Sequence, residues 1–210
     1  MLFLGARGLD INLTFRYSFG MTLFRRLVAR AADRHGYFTV DDALEEGGTR
    51  MALVMLAQRG TVERVGRGLY RVAEMASDPL AQYQEALLRL PGAVLSHDTA
   101  LEVEGLADVN PRRIHVTVTK RYRLRKNIPA WVAIHRADLD VAEITEHEGL
   151  AIVTPAQAII DAITDNLGDR FVDQAIATAR RRNQLTTDEE KRIKRIRADR
   201  HRAQSRERGA

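Results

Sequence analysis

The chain has 210 residues, 45% of them hydrophobic, which supports one large or two small globular domains and excludes disorder throughout. Its 33 Lys and Arg against 28 Asp and Glu leave a net charge of +5, compatible with a polyanionic partner without requiring one. There is no cysteine, so disulfide frameworks, thiolate metal sites and cysteine nucleophiles are excluded, and a reducing cytoplasm is the expected compartment.

In the opening MLFLGARGLDINLTFRYSFG, the charges Arg7, Asp10 and Arg16 leave no apolar run near the ~18 residues of a membrane span, so no membrane association is expected. A signal peptide fits poorly because Leu2, Phe3 and Leu4 precede Arg7, the reverse of the required order. Met21 stands directly before the first clean helical pattern, so residues 1–20 are expected to be a weakly structured and dispensable extension.

From Leu23, the spacing of Leu27, Val28, Ala31 and Ala32 predicts a helix ended by Gly36. Thr39 is an N-cap candidate for a short second helix containing Val40, Ala43 and Leu44, stopped by Gly47-Gly48. Thr49 caps a third helix that buries Leu53, Leu56 and Ala57 and closes at Gly60. TVERV and LYRV then read as two strands joined by Gly66-Arg67-Gly68, a tight hairpin. Helix, helix, glycine turn, helix and hairpin, over residues 21–75, predict a winged helix-turn-helix, whose third helix enters the major groove while the wing grips the flanking backbone. A small helical domain with an incidental hairpin is the alternative.

With its apolar stripe turned inward, the third helix presents Arg50, Met51, Met55, Gln58 and Arg59 outward. Thr49, Arg50, Met51, Gln58 and Arg59 are therefore the candidate DNA contacts on this helix, with Arg50 in the first turn placed to pair with a guanine. Met51 and Met55 offer only weak readout through thymine methyls. The wing arginines Arg64, Arg67 and Arg71 are candidate phosphate contacts, whereas Tyr70 is expected to pack toward the third helix.

The pattern restarts at Ser77-Asp78-Pro79, with Leu80, Tyr83, Leu87, Leu88 and Leu90 on one helical face, so a second domain is placed at 78–185. AVLSHDTALEVEGL predicts a strand, a cap at Ser96 and a helix ended by Gly105. Strands are expected at RRIHVTVT, near Trp131–His135 and near Leu150–Val153, followed by a helix opened by Thr154-Pro155 and another through Phe171, Ile176 and Ala179. The fold class is thus α+β: a winged helix followed by an α/β domain with a small mixed sheet and a helical tail. Residues 191–210 hold nine Lys and Arg against two acids, a net +7, so the remainder sums to −2. The tail, 186–210, is read as a basic helical or disordered end, or as an auxiliary nucleic-acid arm.

The segment 21–72 with GTVERVGRGLYRV, followed by LSHDTALEVEGL, PRRIHVTVT and GLAIVTPAQAIIDAI, resembles the AbiEi-type antitoxins of type IV toxin-antitoxin systems. The resemblance spans about 21–185 and rests on Arg67, Gly68 and Tyr70 of the wing, the serine-capped helix ending in Gly105-Leu106, and Thr154-Pro155 with Asp161. It implies an autoregulating phage-defence antitoxin that binds double-stranded promoter DNA. It also implies a partner gene for a nucleotidyltransferase-like toxin of the AbiEii type, neutralised through the C-terminal domain without any need for a stable complex. A stand-alone winged-helix regulator with no toxin partner is the competing reading.

No catalytic residue, cofactor or metal site is expected. Ser96, His97 and Asp98 are contiguous at a helix start, where an N-cap role for Ser96 explains them better than a triad does. His115 and His135 lie in predicted strands and could join His97 or Asp161 around a metal only if the fold brought them together. Asp161 is expected to be a structural partner of Arg112, Arg113 or Arg136. Gly66-Arg67-Gly68 lacks the third glycine and following helix of a phosphate loop, and a nuclease would need a clustered carboxylate or histidine site.

Overall fold

Leucines one helical turn apart fix the first element. In the computed structural model, which describes residues 11–75, 78–123 and 128–208, helix α1 runs Ile11–Ala32 and buries Leu23, Leu27 and Ala31 completely. The backbone of residues 11–20 continues this helix where the sequence predicts a weakly structured extension; no proline stands in that stretch to stop the helix. Residues 1–10 lie outside the described residues.

A short strand β1 (Tyr37–Thr39) leads into α2 (Val40–Glu45), α3 (Arg50–Gln58) and the hairpin β2 (Val62–Gly66) and β3 (Leu69–Val72). The three strands form one antiparallel sheet in the order β1-β3-β2, so the wing is one strand wider than the sequence predicts. Three residues are too short a run for a period-two signal, which is why β1 is invisible to patterning. Leu23, Leu27, Phe38, Leu53, Leu56, Val62, Tyr70 and Val72 close the core, and Tyr70, expected to pack toward the third helix, is buried with its ring stacked on Phe38 of β1 at 5.7 Å. Between α2 and α3 a Cβ at Gly48 would stand 2.7 Å from the Ala43 carbonyl oxygen and 3.0 Å from Leu23, so this turn admits only glycine.

The described residues fall into two units, the first ending at Gln84 and the second beginning at Glu85. The division lies inside α4 (Ala81–Arg89) rather than at Ser77-Asp78-Pro79. In the second unit a five-stranded mixed sheet has the order β6-β5-β4-β8-β7, with β4 at Val94–Leu95, β5 at Ile114–Val118, β6 at Val132–Arg136, β7 at Ile144–His147 and β8 at Leu150–Val153. β4 and β8 pair in parallel, as do β5 and β6, while β4/β5 and β7/β8 are antiparallel. Helices α5 (His97–Val103), α6 (Pro155–Thr164), α7 (Asp169–Arg181) and α8 (Thr187–Arg208) complete the unit. α6 is its hub, burying Ile159, Ile160 and Ile163.

The basic tail is neither loose nor separate. α8 buries Ile193, and its charged side chains meet opposite charges of the same unit: Arg197 pairs with Asp169 and Asp173, Arg192 with Glu143, and Glu190 with Arg180 of α7. Charge-matched docking thus replaces the disordered end that composition alone allows.

One buried carboxylate ties the first unit together. Asp42, at the third position of α2, accepts from the Thr39 backbone N–H at 2.7 Å and the Thr39 hydroxyl at 2.7 Å, while Thr39 Oγ1 accepts from the Asp42 N–H, a reciprocal capping box. Arg34 donates to both of its oxygens at 3.0 and 2.9 Å, and Arg30 Nε to one at 3.0 Å. Burial alone would raise this carboxyl, but the Thr39 hydrogen bonds and the two guanidiniums hold it below the ordinary range. Asp42→Ala is therefore expected to lower the stability of the protein by about 2 kcal/mol, because it removes the capping box and the hydrogen bonds that Arg30 and Arg34 make to it. In the wild type this contribution is full above the unfolded carboxyl value of about 3.9 and disappears as pH falls through the lower folded value. Urea melts at neutral and acid pH check both, and an Asp42→Ala loss that persists unchanged below pH 3 would contradict the assignment.

Candidate nucleic-acid interface and a histidine cluster

Helix α3 is positioned from both ends. Thr49 Oγ1 accepts from the Ala52 N–H at 3.1 Å, and Leu53 and Leu56 anchor the inner face. Thr49, Arg50, Met51, Gln58 and Arg59 are all exposed, whereas Met55, also expected on the outward face, is half-buried. Arg59 is the C-cap residue. Val54 is also exposed, which sequence projection misses; with Met51 (65% exposed) and Leu44 it gives the outward side of α2 and α3 an apolar component.

In the wing, Arg64 and Arg67 are exposed, and Arg67 sits beside Gly68, whose φ of +72° makes the tight turn. Arg64 Nε reaches the Gly66 carbonyl at 3.4 Å, a weak contact that leaves its outer nitrogens to solvent. Arg71 behaves differently. The strand register sets it opposite Glu63, and its Nη2 meets Glu63 Oε2 at 2.6 Å, so its charge is neutralised within the sheet. Glu45 at the end of α2 pairs with Arg30, and its C-cap Glu46 pairs with Arg26 and Arg30 of α1, while Asp41 is exposed. Glu45, Glu46 and Glu63 are therefore matched by arginines, while Arg50, Arg64 and Arg67 remain turned to solvent.

The second unit gathers the histidines that sequence spacing leaves apart. His115 and Thr117 share one face of β5, the register sets His135 opposite Thr117, and Ser96 N–H donates to the His115 carbonyl at 3.1 Å. His97, at the start of α5 with φ of +55°, stacks on His135 with ring centroids 3.5 Å apart. Asp161 and Asp165, four residues apart at the end of α6, face the same rings.

Ser96 occupies the N-cap position, but its side chain makes no cap hydrogen bond. Its Oγ instead accepts from the Thr117 hydroxyl at 2.8 Å and lies 2.9 Å from His97 Nδ1. Asp161 also departs from expectation. It accepts from Gln157 Nε2 at 2.7 Å and lies 3.5 Å from His97 Nδ1, whereas Arg136 donates to the carbonyls of Lys120 and Tyr122.

Burial, reinforced by His135 and His115, pushes His97 down to about 3, and burial pushes Asp161 up to about 6. His97 is thus an uncharged imidazole at neutral pH. Ser96 and Asp161 face the same ring nitrogen of His97, where a serine-histidine-aspartate triad needs opposite ones; Asp165 lies 3.6 Å from the other nitrogen, beyond hydrogen-bond reach, and Ser96 is fully buried. Asp165 is the member that sequence analysis misses, since only its spacing from Asp161 could have flagged it.

Residues 25–73 match the family described as "Transcriptional regulator, AbiEi antitoxin". No curated protein matches the chain. The crystal structure of the Rv2827c protein from Mycobacterium tuberculosis shares the fold with a TM-score of 0.56 over 82% of this chain and 71% of that one, at 20% sequence identity. No helix among the described residues is long and apolar enough to cross a membrane.

Because Thr49 holds α3 through its first-turn cap, Thr49→Ala is expected to cost about 1 kcal/mol. Equilibrium urea unfolding reads this as a lower midpoint with an unchanged slope; an unaltered midpoint would show that the cap does not hold the helix.

Proposed function

We propose, proceeding from the AbiEi-type winged helix at residues 25–73, that this protein is a cytoplasmic type IV antitoxin that represses its own operon and relieves the toxicity of a nucleotidyltransferase-like partner. The observation that supports DNA binding most is the charge arrangement of the first unit. Arg50 on α3 and Arg64 and Arg67 on the wing face solvent, while Asp42, Glu45 and Glu46 are each paired with arginines of α1. A duplex laid against α3 and the wing meets these three cations while Asp42, Glu45 and Glu46 are held by arginines.

Within this reading the residues divide by task. Arg50, in the first turn of α3, reaches base edges, with Gln58 and Arg59 following at the far end and Met51 offering apolar contact to thymine methyls. Arg64 and Arg67 contact phosphates, and Thr49 stands where the backbone passes the helix N-terminus. Arg71 contributes by straightening the wing through Glu63 more than by meeting DNA. The second unit carries the antitoxic activity, and it acts without a stable complex with the toxin.

The full-length protein with Arg50, Arg64 and Arg67 all changed to alanine separates the two activities. It is expected to lose promoter binding, with the slope of log K against log salt reduced by about 0.9 for each lost phosphate contact. Arg50→Ala alone should cost roughly 1–3 kcal/mol on the operator and far less on random DNA. Toxin rescue in co-expression should persist in the triple variant. Unchanged DNA affinity would overturn the winged-helix assignment, and failure of the wild type to rescue would leave a stand-alone regulator.

A further inference from the structure

The histidine cluster of the second unit meets a condition that hydrogen bonding alone does not explain. His97 Nε2 and His135 Nδ1 lie 3.6 and 3.9 Å from the same oxygen, Asp165 Oδ2, too far for hydrogen bonds. Atoms sharing one tetrahedral ion at 2.0–2.2 Å lie roughly 3.3–3.5 Å apart, so this spacing suits three ligands around a cation better than three groups bonded to each other. All three ligand atoms fall within 4.8 Å of one another.

The nitrogens turned away from Asp165 are held by other groups. His97 Nδ1 lies 2.9 Å from Ser96 Oγ and 3.5 Å from the Asp161 carboxylate, and Ser96 Oγ is in turn fixed by Thr117. With Nδ1 carrying the proton toward these oxygens, the Nε2 lone pair faces Asp165. His135 Nε2 lies 3.0 Å from His115 Nδ1; donation from His135 to His115 leaves the Nδ1 lone pair of His135 on the same side. Imidazoles whose far nitrogen is tied to a carboxylate, hydroxyl or second ring, leaving the near nitrogen on the side of the metal, are the arrangement by which proteins orient metal ligands.

The geometry points to a divalent transition-metal site formed by His97 Nε2, His135 Nδ1 and Asp165, with Asp161, Ser96 and His115 orienting the two rings. Two imidazoles and one carboxylate suit Zn²⁺ and its neighbours in the first row, whereas all-oxygen ligation would suit Mg²⁺ or Ca²⁺. The site is reached from solvent. Asp165 is 44% exposed while His97 is 10% exposed, so the ion enters from the Asp165 side and keeps at least one position open for water or an incoming ligand. Binding requires the exposed Asp165 side chain to close by a few tenths of an ångström and the two near-parallel rings to open toward the ion.

Tag-free, full-length protein stripped with chelator is titrated with Zn²⁺ by calorimetry, and with Co²⁺ while the visible d–d absorption is followed. One equivalent of Zn²⁺ is expected, together with a Co²⁺ spectrum of low-symmetry four- or five-coordinate form that Zn²⁺ bleaches. Asp165→Asn and His135→Gln remove ligands from the solvent side, away from the fully buried core. Each is expected to weaken Zn²⁺ at least about tenfold, while His147→Gln on edge strand β7 leaves it unchanged. Absence of stoichiometric Zn²⁺ binding, or Zn²⁺ binding that survives both Asp165→Asn and His135→Gln, would overturn the site.

Discussion

The carboxylate of Asp42 joins three elements that would otherwise have no fixed relation. It closes the capping box with Thr39 at the end of β1, belongs to α2, and receives Arg30 and Arg34 from α1. A charge this buried is stable only while its partners stay in place, so the angle at which α2 leaves the sheet is fixed by α1. α3 inherits that angle through a turn that Gly48 makes too tight for any side chain. The exposed face of α3 is thus oriented by residues on other elements, and Arg30, which pairs with Asp42, also engages Glu45 and Glu46.

The second unit solves a different problem with a mixed sheet. β4 in the middle pairs antiparallel with β5 and parallel with β8, so α5 after β4 and α6 after β8 leave the same end of the sheet and pack together. The start of α5, the polar face of β5 and β6, and the end of α6 consequently meet at one place. Ser96, His97, His115, Thr117, His135, Asp161 and Asp165 are there because topology delivers them. The positive φ of His97 is the local strain this convergence imposes, and strain of this kind persists only where surrounding contacts over-determine it.

Much of this was legible in the residues. The helical spacing of Leu23, Leu27 and Ala31, the caps at Thr39 and Thr49, and the glycines at 36, 60 and 105 mark elements the structure contains, because these signals are local. Strand β1 escaped because three residues carry no period, and β7 because Ile144–His147 lacks an apolar alternation, both of its inner residues being exposed. Arg71 looked equivalent to Arg64 in sequence, and only the β2/β3 register sets it against Glu63. The histidine cluster could be raised from the sequence only as a condition, for the same reason on a larger scale, and Asp165 was not seen at all. His97, His135 and Asp165 come from three elements, and no spacing within any one of them reports the register of β5 on β6 or the approach of α6. Composition likewise could not decide the tail, whose docking depends on where Asp169, Asp173 and Glu143 fall.

The central claim is that the exposed cationic face of α3 and the wing reads the protein's own promoter. It is tested most directly by titrating the full-length protein against a duplex from its upstream region and a scrambled duplex of equal length and composition, at several salt concentrations. The account predicts at least about a thousandfold preference for the promoter and a steep loss of affinity with salt on both duplexes. Equal affinity for the two duplexes, or binding indifferent to salt, would contradict it.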